Sequence, residues 1–554
     1  MKQLYDFFMR PDTLPYDFAE WQTLHFSERA KKVCQAWALQ GFGAPLFAPV
    51  FYALKIAFYV YMWFLFCSYS TKLGDFSSVS HWWFQMEGLG KAIFWTILIE
   101  VIGFGGASGP LTARYMPPFG GLLYFLRPNT IKIPLFPKMP IIGGDSRNVV
   151  DVALYAGLLY ALVRVCVASE ITPELVLPIV ILLPILGILD RTIYLAARAD
   201  IYFPMAICFL FPLETGAALK IIFFGIWFWA AFSKLTPSFS SVVCVMVCNS
   251  PVLKFNWLRK RLFKNYPDDL RASRFAESIA HLGTVVEFIL PILLIAHGKD
   301  PSVIFYALLG ITCFHVFIFI NLPMGVPMEW NVMMVYGGYV LFLGHPELAI
   351  SSISQPLIIS VCLISLVILP ILGNLFPKYI SFLLSMRYYA GTWAYSVWFF
   401  KDNAHEKIDK HITKSCSSVA NQLNIYYDKP TADAILSRVI AFRLMHLPGR
   451  ALHKLLPKAL ENIDHYTWVE GEFMAGEILG WNFGDAHLHS EPFLAAVQKR
   501  CNFTSGELRV IMVESPQFHT QKLAWRIHDA KDGLLEQGTT TVSELKNLMP
   551  WGTQ

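Results

Sequence analysis

Two lysines bracket an uncharged apolar and aromatic run, and a lysine in such a position can do acid–base chemistry. The run extends from Ile221 to Phe232, with Lys220 directly before it and Lys234 just after it. An amine held in a partly dry pocket loses the hydration that stabilises its charge, so it can act as a base. In the alternative interpretation the lysine stem lies along lipid and its ammonium reaches the interface. The charge pattern alone favours this alternative.

Other ionisable residues within apolar runs could join such a base. They are Glu100, His281, Glu287 and His315. Each costs a few kcal/mol if it faces lipid unpaired, so we expect some of them to meet inside a helical bundle. A buried Glu287 needs a cation or a proton, and Lys234 or Lys220 is the available cation. We therefore predict Lys234, Glu287 and His315 as catalytic residues, the alternative being a polar clamp that fixes helix packing.

The remaining candidates are a set for substrate binding and a weak set for a metal. The substrate-binding candidates lie within or beside the apolar runs: Glu100, Arg114, Arg198, Lys220 and His281. In GWNFGDAHLH, alternate strand positions would put His487 and His489 on one face near Asp485. Such spacing is frequent by chance, so we predict no metal site. The chain also lacks Walker, dinucleotide-binding, nucleophile-elbow and HExxH patterns.

The composition is that of a helical membrane protein. Of 554 residues, 55% are hydrophobic and 15% are charged, whereas soluble domains carry about 25% charge. We predict an all-α polytopic membrane protein of about nine or ten transmembrane helices with a C-terminal extramembrane α+β domain. Membrane lipids are the expected partners. The basic loop 254–274 adjoins apolar runs on both sides, so it fits anionic lipid heads better than nucleic acid.

Ten apolar stretches are candidate spans. They cover residues 46–67, 89–107, 149–168, 175–189, 201–212, 216–233, 278–297, 302–322, 328–344 and 356–373. The stretch 201–212 is short for a span, so it forms either a hairpin with 216–233 or a re-entrant helix. We favour the hairpin, because it places the basic loop and both termini in the cytoplasm, as the positive-inside rule requires.

Three regions flank or interrupt these spans. Residues 1–44 are predicted to be a cytoplasmic amphipathic segment before the transmembrane domain 45–375. The proline-rich stretch 108–149 is predicted to be either an ordered loop covering a site or a plain linker. Residues 376–554 form the extramembrane domain. Its aromatic start, 382–401, suits a helix at the interface, and LRVIMVES and KLAWRIHDA, followed by KDG, predict strands and a turn.

Several segments resemble an uncharacterised family of bacterial multi-pass proteins, a domain of unknown function. The segments are CQAWALQGFGAP (34–45), GGASGPLTARYMPPFGGLLYFLRPNT (105–130), DRTIYLAARADIY (190–202), SMRYYAGTW (385–393) and GWNFGDAHLH (480–489). They are distributed over most of the chain. The resemblance implies an integral protein of the bacterial inner membrane and indicates no reaction.

A second resemblance concerns the lysine itself. AAFSKLTPSF (230–239) is similar to the lysine-bearing turn of the horizontally transferred transmembrane (HTTM) domain, the membrane half of the vitamin K-dependent gamma-carboxylase. VVEFILPILL (285–294) and FHVFIFINLPMGVPMEW (314–330) resemble that family's acidic helix and its FH helix. The resemblance covers about 190–345 and implies that Lys234 is a base that deprotonates a reduced quinone. The family has a histidine in the preceding helix, where this chain has Ile201, which counts against quinone epoxidation.

Three functions fit these observations. The first is a carboxylase-like membrane enzyme acting on a lipid-soluble molecule (a quinone, polyprenyl or acyl lipid), with Lys234 as the base and Glu287 and His315 tuning it or relaying protons. The second is a lipid-binding or transporting protein without covalent chemistry, whose buried charges bind a head group or carry protons. The third is a membrane scaffold whose C-terminal domain recruits a partner.

Overall fold

The computed structural model describes residues 2–105, 119–139, 143–321, 328–388, 390–481 and 490–552. Most of these residues are helical. The predicted substrate-binding residue Arg114 and the weak metal candidates Asp485, His487 and His489 lie outside the described residues.

The N-terminal segment is a set of short helices that pack against later parts of the chain. The helices are α1 (Lys2–Met9), α2 (Phe18–Thr23) and α3 (Phe26–Gln40). Asp17 caps α2 by accepting a hydrogen bond from the Glu20 amide at 2.9 Å. The buried face of α3 includes Trp37, whose indole N–H donates to the Val245 carbonyl at 3.1 Å. This segment is therefore an integral part of the fold.

The first half of the membrane region alternates long and short helices. In chain order they are α4 (Phe47–Ser68), α5 (Val79–Trp82), α6 (Met86–Val101), α7 (Gly120–Phe125), α8 (Val149–Val167), α9 (Pro173–Leu189), α10 (Arg191–Ala196), α11 (Ala199–Cys208) and α12 (Thr215–Ser233), with a 3₁₀ turn at Phe76–Ser78. An Asn148–Asp151 capping box starts α8, and Asp190 caps α10.

The second half of the membrane region begins with two short helices and a small hairpin. Its elements are α13 (Phe239–Asn249), α14 (Asn256–Arg261), β1 (Phe263–Asn265), β2 (Asp269–Ala272), α15 (Arg274–Ala296), α16 (Pro301–Asn321), α17 (Met328–Gly338), a π-helix Tyr339–Gly344, a 3₁₀ turn Ile350–Ser352, α18 (Pro356–Leu363), a π-helix Ile364–Ile368 and α19 (Leu369–Leu375). Ser273 caps α15 through its hydroxyl.

Six helices of the described chain are long and apolar enough to cross a membrane: α4, α8, α12, α15, α16 and the continuous stretch Pro356–Leu375. The predicted spans α6, α9, α11 and α17 have 16, 17, 10 and 11 residues. Ten residues of helix rise about 15 Å, half of a hydrocarbon core. The predicted helices at 201–212 and 216–233 are present as α11 and α12, but α11 is too short to cross alone. The short apolar helix α13 was not predicted.

Buried ion pairs connect the helices and loops of the membrane region. Lys55 of α4 lies 2.9 Å from Glu329 of α17, and both side chains are almost fully buried. Lys132 lies 2.8 Å from Asp151, and Arg147 pairs with Asp190. Through these pairs, the described parts of the proline-rich loop are fixed to the starts of α8 and α10. A charge in an apolar interior requires such a partner, because an isolated buried charge is very costly.

The C-terminal region contains a five-stranded antiparallel sheet in the order β4-β3-β5-β6-β7. The strands are β3 (Tyr395–Lys401), β4 (Tyr466–Glu470), β5 (Leu508–Val513), β6 (Lys522–Asp529) and β7 (Gly533–Thr541). The helices are α20 (Glu406–His411), α21 (Val419–Leu423), α22 (Lys429–Met445), α23 (Leu452–Ala459), α24 (Gly471–Leu479), α25 (Glu491–Cys501) and α26 (Val542–Asn547), with 3₁₀ turns at Pro448–Ala451 and Ile463–His465. A membrane protein with an additional α+β region is confirmed.

Of two predictions about the sheet, one is confirmed and one is wrong. The strands at LRVIMVES and KLAWRIHDA and their turn are present, with Gly533 at φ +81°. The interfacial helix predicted for 382–401 is wrong, because the last seven residues of this stretch form the strand β3. Every residue of β3 except Lys401 is buried between its neighbours and the covering helices. Four of its seven residues are aromatic and Val397 is β-branched, and such residues favour a strand.

The two ends of the chain meet on one side of the molecule. Arg438 of α22 donates hydrogen bonds to the carbonyls of Phe42 and Asp12. The Tyr427 hydroxyl donates to the Met9 carbonyl at 2.7 Å. Lys546 of α26 lies 2.7 Å from Glu277 at the start of α15. The N-terminal segment and the C-terminal domain therefore lie on the same side of the molecule. The assignment of this side to the cytoplasm stays a prediction.

His446, at the end of α22, makes the stability of the C-terminal domain depend on pH. It is buried between Trp393 and Phe442, with its Nδ1–H donating to the Phe442 carbonyl at 2.7 Å. Burial lowers the pKa of His446 to about 4. Between about pH 6.5 and about pH 4 the unfolded chain binds a proton that the folded chain excludes, so acidification costs up to about 3 kcal/mol of stability.

We therefore expect His446→Gln to lose less stability than the wild type between about pH 7 and about pH 5. The measurement is the thermal unfolding midpoint in detergent, followed by tryptophan fluorescence, because Trp393 packs against this ring. The control is His411→Gln, since His411 is exposed at the end of α20. Identical pH profiles for wild type and His446→Gln would contradict the prediction.

Candidate functional site

A cavity of about 360 Å³ lies at the end of α12 that faces the C-terminal domain. Its walls come from α12, α13, α15, α16 and α17, and Tyr388 of the C-terminal region closes one side. Phe232 at the end of α12 stacks on Phe518 of the C-terminal domain, with ring centroids 4.8 Å apart. Most of the lining is aliphatic or aromatic, and the volume falls in the usual range for small-molecule sites.

The predicted catalytic residues Lys234, Glu287 and His315 all line this cavity. Lys234 caps α12, and its amide donates to the Ala231 carbonyl at 3.1 Å. The helix thus ends where the lysine stem turns into the cavity. Glu287 lies in the middle of α15, and His315 lies in the last two turns of α16. The end of α12 and the consecutive helices α15 and α16 bring these side chains together.

Lys234 and Glu287 form a buried ion pair. The ammonium donates to both carboxylate oxygens, and the two side chains are 6% and 8% exposed. The ammonium also lies 5.8 Å from the ring centre of Phe239 and 5.4 Å from that of Phe314. The aromatic faces and the carboxylate together stabilise a cation that has lost its water.

His315 is held as a neutral ring by two hydrogen bonds. The Trp227 indole N–H donates to its Nε2 at 3.3 Å, so Nε2 carries no proton. Its Nδ1–H then donates to Oδ1 of Asn331 at 2.8 Å. The tautomer follows from these partners, because an indole nitrogen can only donate. Both ring nitrogens are therefore engaged, and His315 connects α12, α16 and α17 across the cavity.

Two polar atoms of the cavity lining have no hydrogen-bond partner among the described residues. They are the indole Nε1 of Trp330, a donor, and Oδ1 of Asn321, an acceptor. Trp330 is 9% exposed and Asn321 is 3% exposed. A buried polar group without a partner costs about 1–3 kcal/mol, so native structures rarely leave one without a reason. Both residues belong to the lining of the cavity.

The predicted substrate-binding residue Arg198 lies behind the cavity wall. It precedes α11 with φ +49°, and its guanidinium lies 3.3 Å from Asp200. The guanidinium is 4.9 Å from the ring centre of Trp330, and the Tyr388 hydroxyl donates to Asp200 at 3.0 Å. Arg198 therefore supports two residues of the wall.

The other predicted substrate-binding residues do not reach the cavity. Lys220 lies about 21 Å from Lys234 along α12, and its ammonium donates to the carbonyls of His345 and Leu348, both at 2.7 Å. His281 is exposed on the outer face of α15. Glu100 is buried in α6, within electrostatic range of Arg198. No group of three or more metal-ligating side chains occurs in the described chain.

Sequence reasoning missed the polar groups on α17. Asn331 and Trp330 belong to the cavity, and Glu329 is the partner of Lys55. The sequence MEWN could have indicated them, because its Glu, Trp and Asn side chains can all form hydrogen bonds at the start of an apolar helix. Which of them face the cavity depends on packing, which periodicity does not show.

Fold and cavity define a multi-pass membrane protein with an internal, mostly apolar cavity that is lined by an ion pair. The chain belongs to the family described as transmembrane protein of unknown function (DUF3556), which matches residues 7–554. No curated protein and no solved structure matches the chain.

The ion pair predicts a characteristic pattern of stabilities. Lys234→Met leaves the Glu287 carboxylate buried without its cation, and Glu287→Met leaves the Lys234 ammonium buried without its anion. Each variant should therefore lose about 3–5 kcal/mol of stability. The double variant removes both charges, so we expect it to be more stable than either single variant. The thermal midpoint in detergent measures this.

The control is the exposed pair Lys458–Glu536, in which both side chains are 44% exposed. Lys458→Ala should change stability by less than about 1 kcal/mol. Additive losses in the Lys234→Met, Glu287→Met double variant would show that the two charges are not coupled.

Proposed function

We propose that the cavity binds the polar end of a lipid-soluble molecule and that the Lys234–Glu287 pair transfers a proton there. The observation that carries this proposal is a buried ion pair on the wall of an apolar cavity in a membrane protein. A pair that only fixed helix packing would be enclosed by side chains, whereas this one adjoins about 360 Å³ of space. Ionisable groups at such positions mark functional sites.

The chemistry that fits is proton abstraction from a weakly acidic group. In a dry cavity the pair can exist as ammonium and carboxylate or, after proton transfer, as neutral amine and carboxylic acid. In the second form the Lys234 amine can take a proton from the bound molecule. The resulting ammonium then stabilises the anion that forms. Glu287 sets how often the amine is neutral, because it holds the transferred proton.

In this mechanism His315 positions neighbouring side chains. Both of its ring nitrogens are engaged by Trp227 and Asn331, so it orients these neighbours and does not itself relay a proton. This role is narrower than the proton relay considered from the sequence. It keeps Asn331 and the indole of Trp227 at fixed places on the cavity wall, which pre-organises the site.

The resemblance of 230–239 to the lysine-bearing turn of the HTTM domain supports Lys234 as the base and a quinone, polyprenyl or acyl lipid as the molecule. The basic stretch 254–274 lies on the side of the two termini, because Arg271 contacts the Asn547 carbonyl at 3.4 Å. By the positive-inside rule we assign that side to the cytoplasm, in the inner membrane of a bacterium.

The second candidate is lipid binding or transport without conversion. The observation in its favour is the ion pair itself, because a lysine that stays charged anchors a head group but is no base. The two functions differ in what a charge-preserving substitution does. Arginine keeps the cation and remains protonated in proteins, so it can anchor a ligand but cannot accept a proton.

The test is mass spectrometry of lipids extracted from the purified protein, for the wild type and Lys234→Arg. We expect the wild type to carry a lipid together with its chemically altered form. Lys234→Arg should carry the unaltered lipid, with the altered form reduced at least about a hundredfold, as for loss of a catalytic base. Lys220→Arg is the matched control at the opposite end of the same helix, and it should behave as the wild type.

Two outcomes would contradict the enzyme. Conversion that persists in Lys234→Arg would exclude this lysine as the base. An identical unaltered lipid in all three proteins would indicate a binder or transporter.

A further inference from the structure

We infer that the ligand of this cavity is an uncharged, hydroxyl-bearing membrane lipid that enters sideways from the bilayer, through a gap between α15 and α16 at Gly283. This inference rests on the proposed ligand-binding role of the cavity and adds the route and the head-group class.

The cavity opens on a surface that faces lipid. Two of its lining residues, Leu282 on α15 and Phe317 on α16, are 65% and 43% exposed. Both helices are candidate spans, and in the most apolar stretch of each only 28% and 22% of the stretch is buried inside the protein. Because the exposed faces of such helices contact acyl chains, the opening between Leu282 and Phe317 connects the cavity to the bilayer.

The gap follows from how the two helices pack. A Cβ placed on Gly310 of α16 would lie 2.9 Å from the Leu290 side chain, so the helices touch at this level. A Cβ placed on Gly283 would meet nothing within 4 Å. Gly283 and Phe317 each lie about two turns, or about 10 Å, further from the loop that connects the helices. Close packing near the loop thus gives way to open space at Gly283.

The gap leads directly to the ion pair. Gly283 and Glu287 are four residues apart on α15, so they occupy the same face, one turn apart. The residues near the gap are apolar, and they include Ile279, Leu282 and Phe317. A molecule that enters here meets apolar side chains first and the Lys234–Glu287 pair last. Its head therefore lies inside, while its tail extends back into the bilayer.

The polar groups of the cavity specify an uncharged head. The charges of Lys234 and Glu287 cancel, so a charged head group would add an uncompensated charge to an apolar cavity. The unpartnered Trp330 indole N–H needs an acceptor, and the unpartnered Asn321 Oδ1 needs a donor. A hydroxyl group can donate and accept, so it is a neutral head that could serve either atom. Phosphate and carboxylate heads supply acceptors and excess negative charge.

Photolabelling of the full-length protein in vesicles tests both parts of the inference. The probes are a polyprenyl alcohol with a diazirine beside the hydroxyl, the same alcohol with a diazirine at the tail end, and the monophosphate of the first probe. We expect the head diazirine to label α17 around Trp330 and the tail diazirine to label the outer residues Leu282 and Phe317 or lipid. The monophosphate should label α17 about tenfold less than the alcohol.

A tryptophan at the gap tests the route. Gly283→Trp places a ring in the open space, so labelling of α17 by the head probe should fall about tenfold. The matched control is Ile292→Trp, since Ile292 is 47% exposed on the same helix and does not line the cavity. Gly283→Leu serves as a second, smaller obstruction.

Each outcome has a distinct meaning. Unchanged labelling in Gly283→Trp and Gly283→Leu would overturn the sideways route while leaving the cavity as a ligand site. Equal labelling by the monophosphate would overturn the uncharged head. Failure of the head probe to label the cavity of the wild type would contradict the proposed function and this inference together. Inverted positions of the head and tail labels would overturn the proposed orientation.

Discussion

The membrane half of this structure depends on the pairing of Lys234 with Glu287. Neither charge can remain in an apolar interior alone, so the end of α12 and the middle of α15 must stay together. Their mutual neutralisation also allows a cavity to exist beside them without a net charge. His315 completes the arrangement by joining α12, α16 and α17 through two hydrogen bonds.

The same constraint recurs in other buried ion pairs, with a different result. Lys55–Glu329 joins α4 to α17, Lys132–Asp151 fixes a loop to α8, and Arg147–Asp190 fixes it to α10. These pairs connect different elements of the chain and lie outside the lining of the cavity. The comparison distinguishes two uses of a buried ion pair in this bundle: connecting elements, and presenting charge to a space that a molecule can occupy.

Sequence reasoning predicted the residue types of the site and part of its geometry. Lys234, Glu287 and His315 were selected because ionisable groups in apolar runs need partners, and the structure places all three on one cavity. Lys220 was selected by the same rule, yet it binds backbone carbonyls at the other end of α12. The rule states that a partner must exist and does not identify it. Distances across the bundle decide that choice.

The elements of the fold that were not predicted from the sequence have a similar explanation. Long apolar helices such as α15 and α16 follow from hydropathy alone. The short helix α13 does not, because a helix of eleven residues is too short to indicate a span, and its place is set by packing against α3 and α15. The strand β3 was mistaken for a helix, since an aromatic run without charges fits a buried strand as well as an interfacial helix.

The contact between the chain ends constrains the order in which this protein can assemble. The carbonyls of Asp12 and Phe42 receive hydrogen bonds from Arg438, which is synthesised almost four hundred residues after Phe42. The N-terminal segment therefore leaves the ribosome long before its binding surface exists. All the spans must be inserted before the first residues of the chain can reach their final packing. This contact therefore forms only after synthesis has passed α22.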